Sequence, residues 1–381
     1  MKRETTLLVV VLAAAAVLLG VIAAGQFLMR DTGVQTPRGD GAEDAAAALP
    51  GRTRYDCLII RNLSGVDDVV NSPGFPKVHR PDAAASGALR AEPSARRREQ
   101  LMGTTIGVAV YDMPRDDARR AVEAAMTRVA ELSRKLNVFN PQSDVSRVNR
   151  EAHRAPVTVD DDLHRLIRLS NSVAELSGGA FDATVGPLTS LWRKHRRQKK
   201  LPPAEEIERA RKLVGYRKVK MDAGRELAFT TAGMSFDFGG IAKGFAAEEA
   251  GAVLRKHGVT SAIIDCGGDL KVIGRRPGGA PFRVGVTEPR PNAGPLRFVV
   301  QVENTSIVTS GNYEQFTVID GRRYSHIIDP RSGRSIAALP SVTVIGPDSG
   351  LCDALATAVS VLGEKEGLEL IERVNATLAR Q

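Results

Sequence analysis

Cysteine is scarce in this chain of 381 residues: only Cys57, Cys266 and Cys352 occur. No Cys-x-x-Cys spacing exists, which excludes a zinc knuckle or ribbon on ligand count. Cys266 and Cys352 either pair, leaving Cys57 over, or are two small buried side chains. Aromatics make up only 4% of the residues, and none interleave with the basic runs Arg90–Arg98 and Arg193–Lys200. The net charge of +9 therefore comes without stacking platforms, and nucleic acid is not an expected partner. Neither Gly-x4-Gly-Lys-Ser/Thr nor Gly-x-Gly-x-x-Gly is present, so a P-loop and the dinucleotide fingerprint are excluded. No internal repeat is visible.

Charge is also missing from Thr5 to Met29, which follow Lys2 and Arg3. About 25 apolar residues suffice for a helix across a hydrocarbon core of about 30 Å. Residues 1–30 are expected to be a membrane anchor, with the positive flank inside and the rest of the chain on the outer, extracytoplasmic side. A cleavable signal ending near Ala23-Ala24-Gly25 is the rival reading. No Cys follows the apolar run closely, so lipid attachment there is excluded.

Residues 31–98, rich in Ala, Gly, Pro, Arg and Asp, read as a spacer, and residues 99–381 as one folded domain beginning near Leu101. Thr105–Tyr111 reads as a strand. Arg115–Val138 and Asp160–Ser177 carry apolar residues at three- and four-residue intervals, the mark of amphipathic helices. Ala204–Lys212, Lys243–His257 and Asp353–Leu362 are further predicted helices, the last continued by Glu364–Asn375. Strands are predicted at Lys218–Met221, Glu226–Thr230, Met234–Asp237, Ser261–Asp265 and Leu270–Gly274, and as several short runs over Val284–Ile319. Helices and strands do not alternate regularly, which predicts an α+β fold.

Five places could carry chemistry. Asp353 and Thr357 stand four apart, so a helix puts both oxygens on one face, with Asp353 expected in the first turn. A hard cation such as Mg²⁺ takes such donors; a carboxylate merely favoured by its own helix dipole is the bland alternative. Phe236-Asp237-Phe238-Gly239-Gly240-Ile241-Ala242-Lys243 runs from a strand through a Gly pair into a helix start, where backbone N–H groups and Lys243 could meet phosphate; simple turn geometry is the alternative. Cys266-Gly267-Gly268-Asp269 is a second Gly pair beside a carboxylate. Gly178–Leu188 places Ala180, Phe181 and Asp182 in an expected exposed turn. Last, Thr309-Ser310-Gly311-Asn312 and Tyr324-Ser325-His326-Ile327-Ile328-Asp329-Pro330 deliver polar groups to turns. The other five histidines lie in charged or spacer stretches, so His326 alone sits among candidate site residues, with a pKa suited to proton transfer.

Taken in order, Met102–Thr105, Asn140–Asn149, Gly178–Trp192, Asp237–Gly244, Gly267–Asp269, Thr309–Gly333 and Asp353–Gly363 resemble the ApbE family of FAD:protein FMN transferases over nearly the whole folded domain. The resemblance implies a single two-lobed domain of mostly antiparallel sheets and packed helices. It also implies Mg²⁺-dependent transfer of FMN from FAD onto a Thr hydroxyl of an acceptor flavoprotein, releasing AMP. Asp353, Thr357 and the backbone carbonyl of Ala242 would hold the metal. Met102, Phe181, Asp182, Asp237, Lys243 and Ile327 would line the nucleotide site, with Phe139, Ala180, Asp269 and Ser310 completing the candidate set. His326 would be catalytic, as base or as nucleophile. An FAD pyrophosphatase and a non-enzymatic, membrane-tethered flavin-binding protein are the competing readings.

Two departures stand out. Phe139 replaces a usual Tyr, which keeps a stacking surface and loses a hydroxyl. After Trp192, relatives tend to be Gly-rich and aromatic, whereas this chain runs Arg193-Lys194-His195-Arg196-Arg197; the run either alters how the acceptor protein docks or, as expected here, is a solvated loop.

Overall fold

The computed structural model describes residues 92–287, 296–311, 316–336, 339 and 341–379, together with the backbone of three short N-terminal strands. Sixteen strands and eight helices are described, arranged around one eight-stranded sheet. Those N-terminal strands are β1 (Thr6–Val10), β2 (Ile59–Ile60) and β3 (Val78–His79). β4 (Ala95–Leu101) and β5 (Thr104–Val110) form the first hairpin. β9 (Ala262–Cys266), β10 (Asp269–Ile273), β13 (Ser306–Gly311) and β16 (Ser341–Gly346) complete the sheet, in the order β2-β1-β16-β13-β10-β9-β5-β4. Every pairing is antiparallel except β1 with β16. Thr6–Val10, expected within the anchor helix, instead form strand β1 against β16; the rest of the expected anchor lies outside the described residues, as does Cys57. Among the described residues no helix is long and apolar enough to cross a membrane.

β4 takes in Ala95–Arg98, which the sequence reading had left in the spacer. Its arginines alternate outward on an edge strand, where charges discourage further pairing, and Arg97 pairs with Glu99 and Glu123. Composition made this strand look like linker.

Helices cover one face of the sheet. α1 (Arg115–Lys135) buries Ala118, Val122, Ala125, Met126, Val129 and Leu132, with Asp116 and Asp117 in its first turn and Arg134 and Lys135 in its last. That charge order suits the helix dipole. α2 (Asp144–Glu151), which the sequence reading did not predict, is capped by Ser143 Oγ, accepting from Ser146 N at 3.2 Å. α3 (Asp161–Leu176) is capped by Asp160, accepting from Leu163 N at 2.9 Å.

α4 (Gly186–Arg197) and α5 (Ala204–Arg211) form a hairpin set apart from the sheet. The basic run after Trp192 is thus the end of a helix and not a loop. A three-stranded sheet orders β6 (Val157–Thr158), β8 (Glu226–Phe229) and β7 (Val219–Met221). The strand expected at Met234–Asp237 reduces to one bridge, Ser235 to Val185.

α6 (Ala242–Lys256) and α7 (Ser349–Leu362) pack on the sheet and on each other, and α8 (Glu364–Ala379) closes the chain. The opposite sheet face receives the hairpin β11 (Phe282–Thr287) and β12 (Leu296–Val302), buried against Val272, Ile307 and Ile345. A final hairpin, β14 (Phe316–Ile319) with β15 (Arg322–Ser325), leads into the His326 loop. The α+β class holds, with mostly antiparallel sheets.

Candidate active site

Two tight turns sit side by side at one end of the main sheet. Met102 and Gly103, joining β4 to β5, have φ of 53° and 74°, and Gly267 and Gly268, joining β9 to β10, have 68° and 93°. Two positive φ angles in a two-residue connection match the twist of a hairpin. Met102 holds its angle without being glycine, a local cost of the kind functional sites carry, and its N–H donates to Ser133 Oγ at 3.2 Å. At Gly267 a Cβ would come within 2.4 Å of Thr104 Oγ1, so only glycine fits.

Beside these turns lies a buried charge pair. Asp269 is 1% exposed, forms an ion pair with Lys243 Nζ, and accepts from Thr309 N at 3.3 Å. Burial pushes its carboxyl up to about 7, against the pull of the neighbouring ammonium. Burial works against the Lys243 charge too, but Asp353 and Asp269 outweigh it and hold its pKa above the usual lysine value. The ammonium is therefore the secure charge of the pair. Ser310 shares this face: Ser306 and Val308 alternate toward the helices, and Ser306 Oγ meets Ser349 Oγ at 2.8 Å.

Asp353 is 2% exposed and stands in the second turn of α7, because that helix starts at Ser349 with Asp348 as its cap. The expected first-turn position is thus corrected, and with it the bland alternative. The carboxylate serves the N-terminus of a different helix: Gly244 N donates to Asp353 Oδ2 at 2.9 Å. At Gly244 a Cβ would fall 2.2 Å from Ser349 O, so α6 and α7 approach as closely as backbones allow.

Thr357 Oγ1 donates to the carbonyl of Gly240 at 3.3 Å. The expected carbonyl donor, Ala242, is the first residue of α6, where its oxygen enters the helical ladder. Gly240 precedes the helix, so its carbonyl is the one brought to Thr357. A carboxylate, a hydroxyl and a carbonyl are hard oxygen donors that fit Mg²⁺ completed by water and phosphate. Among the described residues no group of three or more His, Cys, Asp or Glu side chains could hold a metal.

The other wall comes from residues 178–193. Phe181 and Asp182 are 4% and 5% exposed, not in an exposed turn. Asp182 accepts from Thr184 N, Thr184 Oγ1 and Tyr216 N at 2.8, 2.7 and 2.8 Å, while burial raises its pKa. Its carboxylate is thus committed to holding the loop. Asp237 accepts from Gly239 N, Thr189 Oγ1 and Arg193 Nη2 at 3.0, 2.7 and 3.0 Å. The Arg193 guanidinium lies 4.8 Å from the ring centroid of Phe139, which is 69% exposed on a groove of about 480 Å³.

His326 is exposed at the end of β15. Its neighbour Ile327 is buried with Ala180, Ile336 and Val361. Val361 lies one turn beyond Thr357 on α7, about 6 Å along the axis, so the imidazole's loop and the Asp353/Thr357 pair meet the same helix. Sequence reasoning gave no site role to Arg193, which holds Asp237 and Phe139, and read His195 as solvated. His195 is 8% exposed and its Nε2 lies 3.3 Å from Glu206 Oε2. Cys266 and Cys352 are free and buried, not paired, and burial pushes both thiols well above their ordinary pKa.

This assembly is that of a mixed α+β domain in which Asp353, Thr357 and the start of α6 meet at one corner. The ApbE family pattern matches residues 102–379, and the chain belongs to that family. It is 33% identical over 291 residues to an FAD:protein FMN transferase of Treponema pallidum, covering 72% of this chain and 80% of that protein. One from Klebsiella pneumoniae is 33% identical over 273 residues, covering 70% and 82%. Among solved structures, the flavin transferase ApbE from Vibrio cholerae superposes with a TM-score of 0.66 at 27% identity, covering 74% of this chain and 91% of that one. The apo form of the Pseudomonas stutzeri flavinyl transferase ApbE gives 0.66 at 31%, covering 75% and 90%.

Proposed function

We propose that this chain is an FAD:protein FMN transferase, splitting FAD at its diphosphate and placing FMN on a Thr hydroxyl of an acceptor flavoprotein. The observation that carries the reading is the convergence on α7. Asp353 and Thr357 meet the start of α6 on one side, and the His326 loop packs one turn further along. Family membership supports the same activity.

Asp353, Thr357 and the Gly240 carbonyl would hold Mg²⁺, which when bound neutralises oxygens of the diphosphate. Lys243 adds a fixed positive charge beside them. The Gly267-Gly268 turn supplies close backbone approach and no free donors, since Gly267 N already donates to Thr105 O at 3.1 Å and Gly268 N to Asp265 Oδ1 at 2.8 Å. Phe139 and Met102 offer apolar surface to the flavin, and Asp237, Ile327 and Ala180 shape the walls. His326, exposed at the loop, takes the proton of the incoming Thr hydroxyl as its oxygen bonds to phosphorus; the bond to the AMP oxygen breaks, and AMP leaves with that electron pair. An outer-side anchor at residues 1–30 has the support of Lys2, Arg3 and the uncharged run after them, against which stands the pairing of Thr6–Val10 with β16 in the main sheet.

Incubation with FAD, Mg²⁺ and a Thr-containing flavoprotein domain should leave FMN covalently on the acceptor, read by mass and in-gel fluorescence, with one AMP per adduct. His326→Ala and Asp353→Asn should each lose transfer while FAD affinity stays within about tenfold, which is about 1.4 kcal/mol. AMP release at full rate without any acceptor would make the chain a pyrophosphatase. Tight FAD binding with no AMP would leave only a flavin-binding protein.

A further inference from the structure

We propose that Arg196 is a positioning residue for His326, fixing the peptide that leads into it and so aiming the imidazole. The role rests on the reading of His326 as proton acceptor. Helix α4 presents two faces at helical spacing. Ser190, Arg193, Lys194 and Arg197 line the groove beside Phe139. Leu188 and Trp192 lie under the loop that bears His326, in one cluster with Ile328 and Tyr324.

Contact between helix and loop is close. Trp192 Nε1 donates to the carbonyl of Gly333 at 2.9 Å, and the Trp192 and Tyr324 rings are 6.0 Å apart. Gly333 has a φ of +70°, and a Cβ there would come within 2.6 Å of Ile207 on α5. Arg196 completes this platform: its Nη2 donates to the carbonyl of Ser325, the residue before His326, and its guanidinium carbon lies 5.6 Å from the Trp192 ring centroid.

The loop holds itself by three bonds of its own. Ser335 Oγ donates to the same Ser325 carbonyl at 2.7 Å, Ile327 N donates to Ser325 Oγ at 3.1 Å, and Ile336 N donates to the Ile327 carbonyl at 3.1 Å. Arg196 comes from outside the loop, so it ties that peptide to the rigid helix. Besides the Trp192 ring face, its charge has the Ser325 carbonyl as its partner. Among the described residues no carboxylate pairs with it, its Nε is buried without an acceptor, and burial together with Arg193 lowers its pKa. A cation kept under such conditions is best explained by the carbonyl it reaches. Mispositioning a reacting group by about 1 Å can cost about a hundredfold in rate.

The test compares Arg196→Met, Arg196→Lys, Arg196→Ala and His326→Ala in the full chain, with FAD, Mg²⁺ and the Thr-containing acceptor domain. Arg196→Met should lower kcat by about 10- to 100-fold, with the KM for FAD within threefold. Arg196→Lys should recover part of the loss, and millimolar guanidinium should rescue Arg196→Ala. Full kcat in Arg196→Met beside an inactive His326→Ala overturns the positioning role alone. So does a loss that guanidinium cannot rescue and that follows a lowered Tm. A fully active His326→Ala overturns the reading of His326, and the positioning role falls with it.

Discussion

Replacing Gly244 by alanine tests whether the contact of α6 with α7 sets the site. The added Cβ would stand 2.2 Å from Ser349 O and 2.7 Å from Asp353 Cβ, both on α7. Cβ contacts essentially never fall under 3.0 Å, so the helices must part by at least 0.8 Å. An equal opening carries the 2.9 Å bond from Gly244 N to Asp353 Oδ2 beyond hydrogen-bond range. Overpacking costs about 1–3 kcal/mol, and a hydrogen bond to a charged acceptor contributes about 1.5–3 kcal/mol. Alanine recovers about 1 kcal/mol of helix propensity. The net loss of about 1.5–5 kcal/mol should lower Tm by roughly 3–15 °C, and AMP release from FAD in the presence of Mg²⁺ should fall with it. Gly251→Ala in the same helix is the control: its Cβ would meet nothing nearer than Lys271 Cγ at 3.6 Å. That variant should be as active as the parent and equally or more stable. A Gly244→Ala protein that melts and turns over like the parent refutes the close-contact argument.

Burial alone would raise the Asp162 carboxyl, but Arg128 and Lys135 outweigh it and hold it well below the usual carboxylate range. A depressed pKa gives stability that is present above the unfolded value near 4 and lost as pH falls. Asp162→Asn should therefore cost about 3 kcal/mol at pH 7, and the Tm gap to the parent should shrink steadily below pH 4; a gap independent of pH would contradict this. Because Cys266 and Cys352 are free and buried, reductant should leave Tm unchanged. A thiol reagent should label at most Cys57 in the native chain, and rapid labelling of two or more thiols would count against the burial.

Amphipathic spacing was enough to find α1 and α3, because their buried stripes are unbroken over four or more turns. The pairing of Asp353 with Thr357 was legible too, since four residues of helix fix their common face. The hydrogen bond of Thr357 to the Gly240 carbonyl was not, for Gly240 and Ala242 differ only in whether the helix has begun. Asp182 looked exposed because it follows a Gly pair that stops a helix, and His195 looked solvated because its neighbours are basic, yet each is buried by contacts distant in sequence. The run after Trp192 misled for a related reason. Its charges signal solvent, while Trp192 and Arg196 on the same helix face inward to the His326 loop.

In chain order Asp353 and Thr357 follow Met102 through His326, every other group proposed to face the nucleotide. During synthesis those groups emerge before the helix that carries the proposed cation corner exists. If that corner works as proposed, competence waits until α7 slots against Gly244.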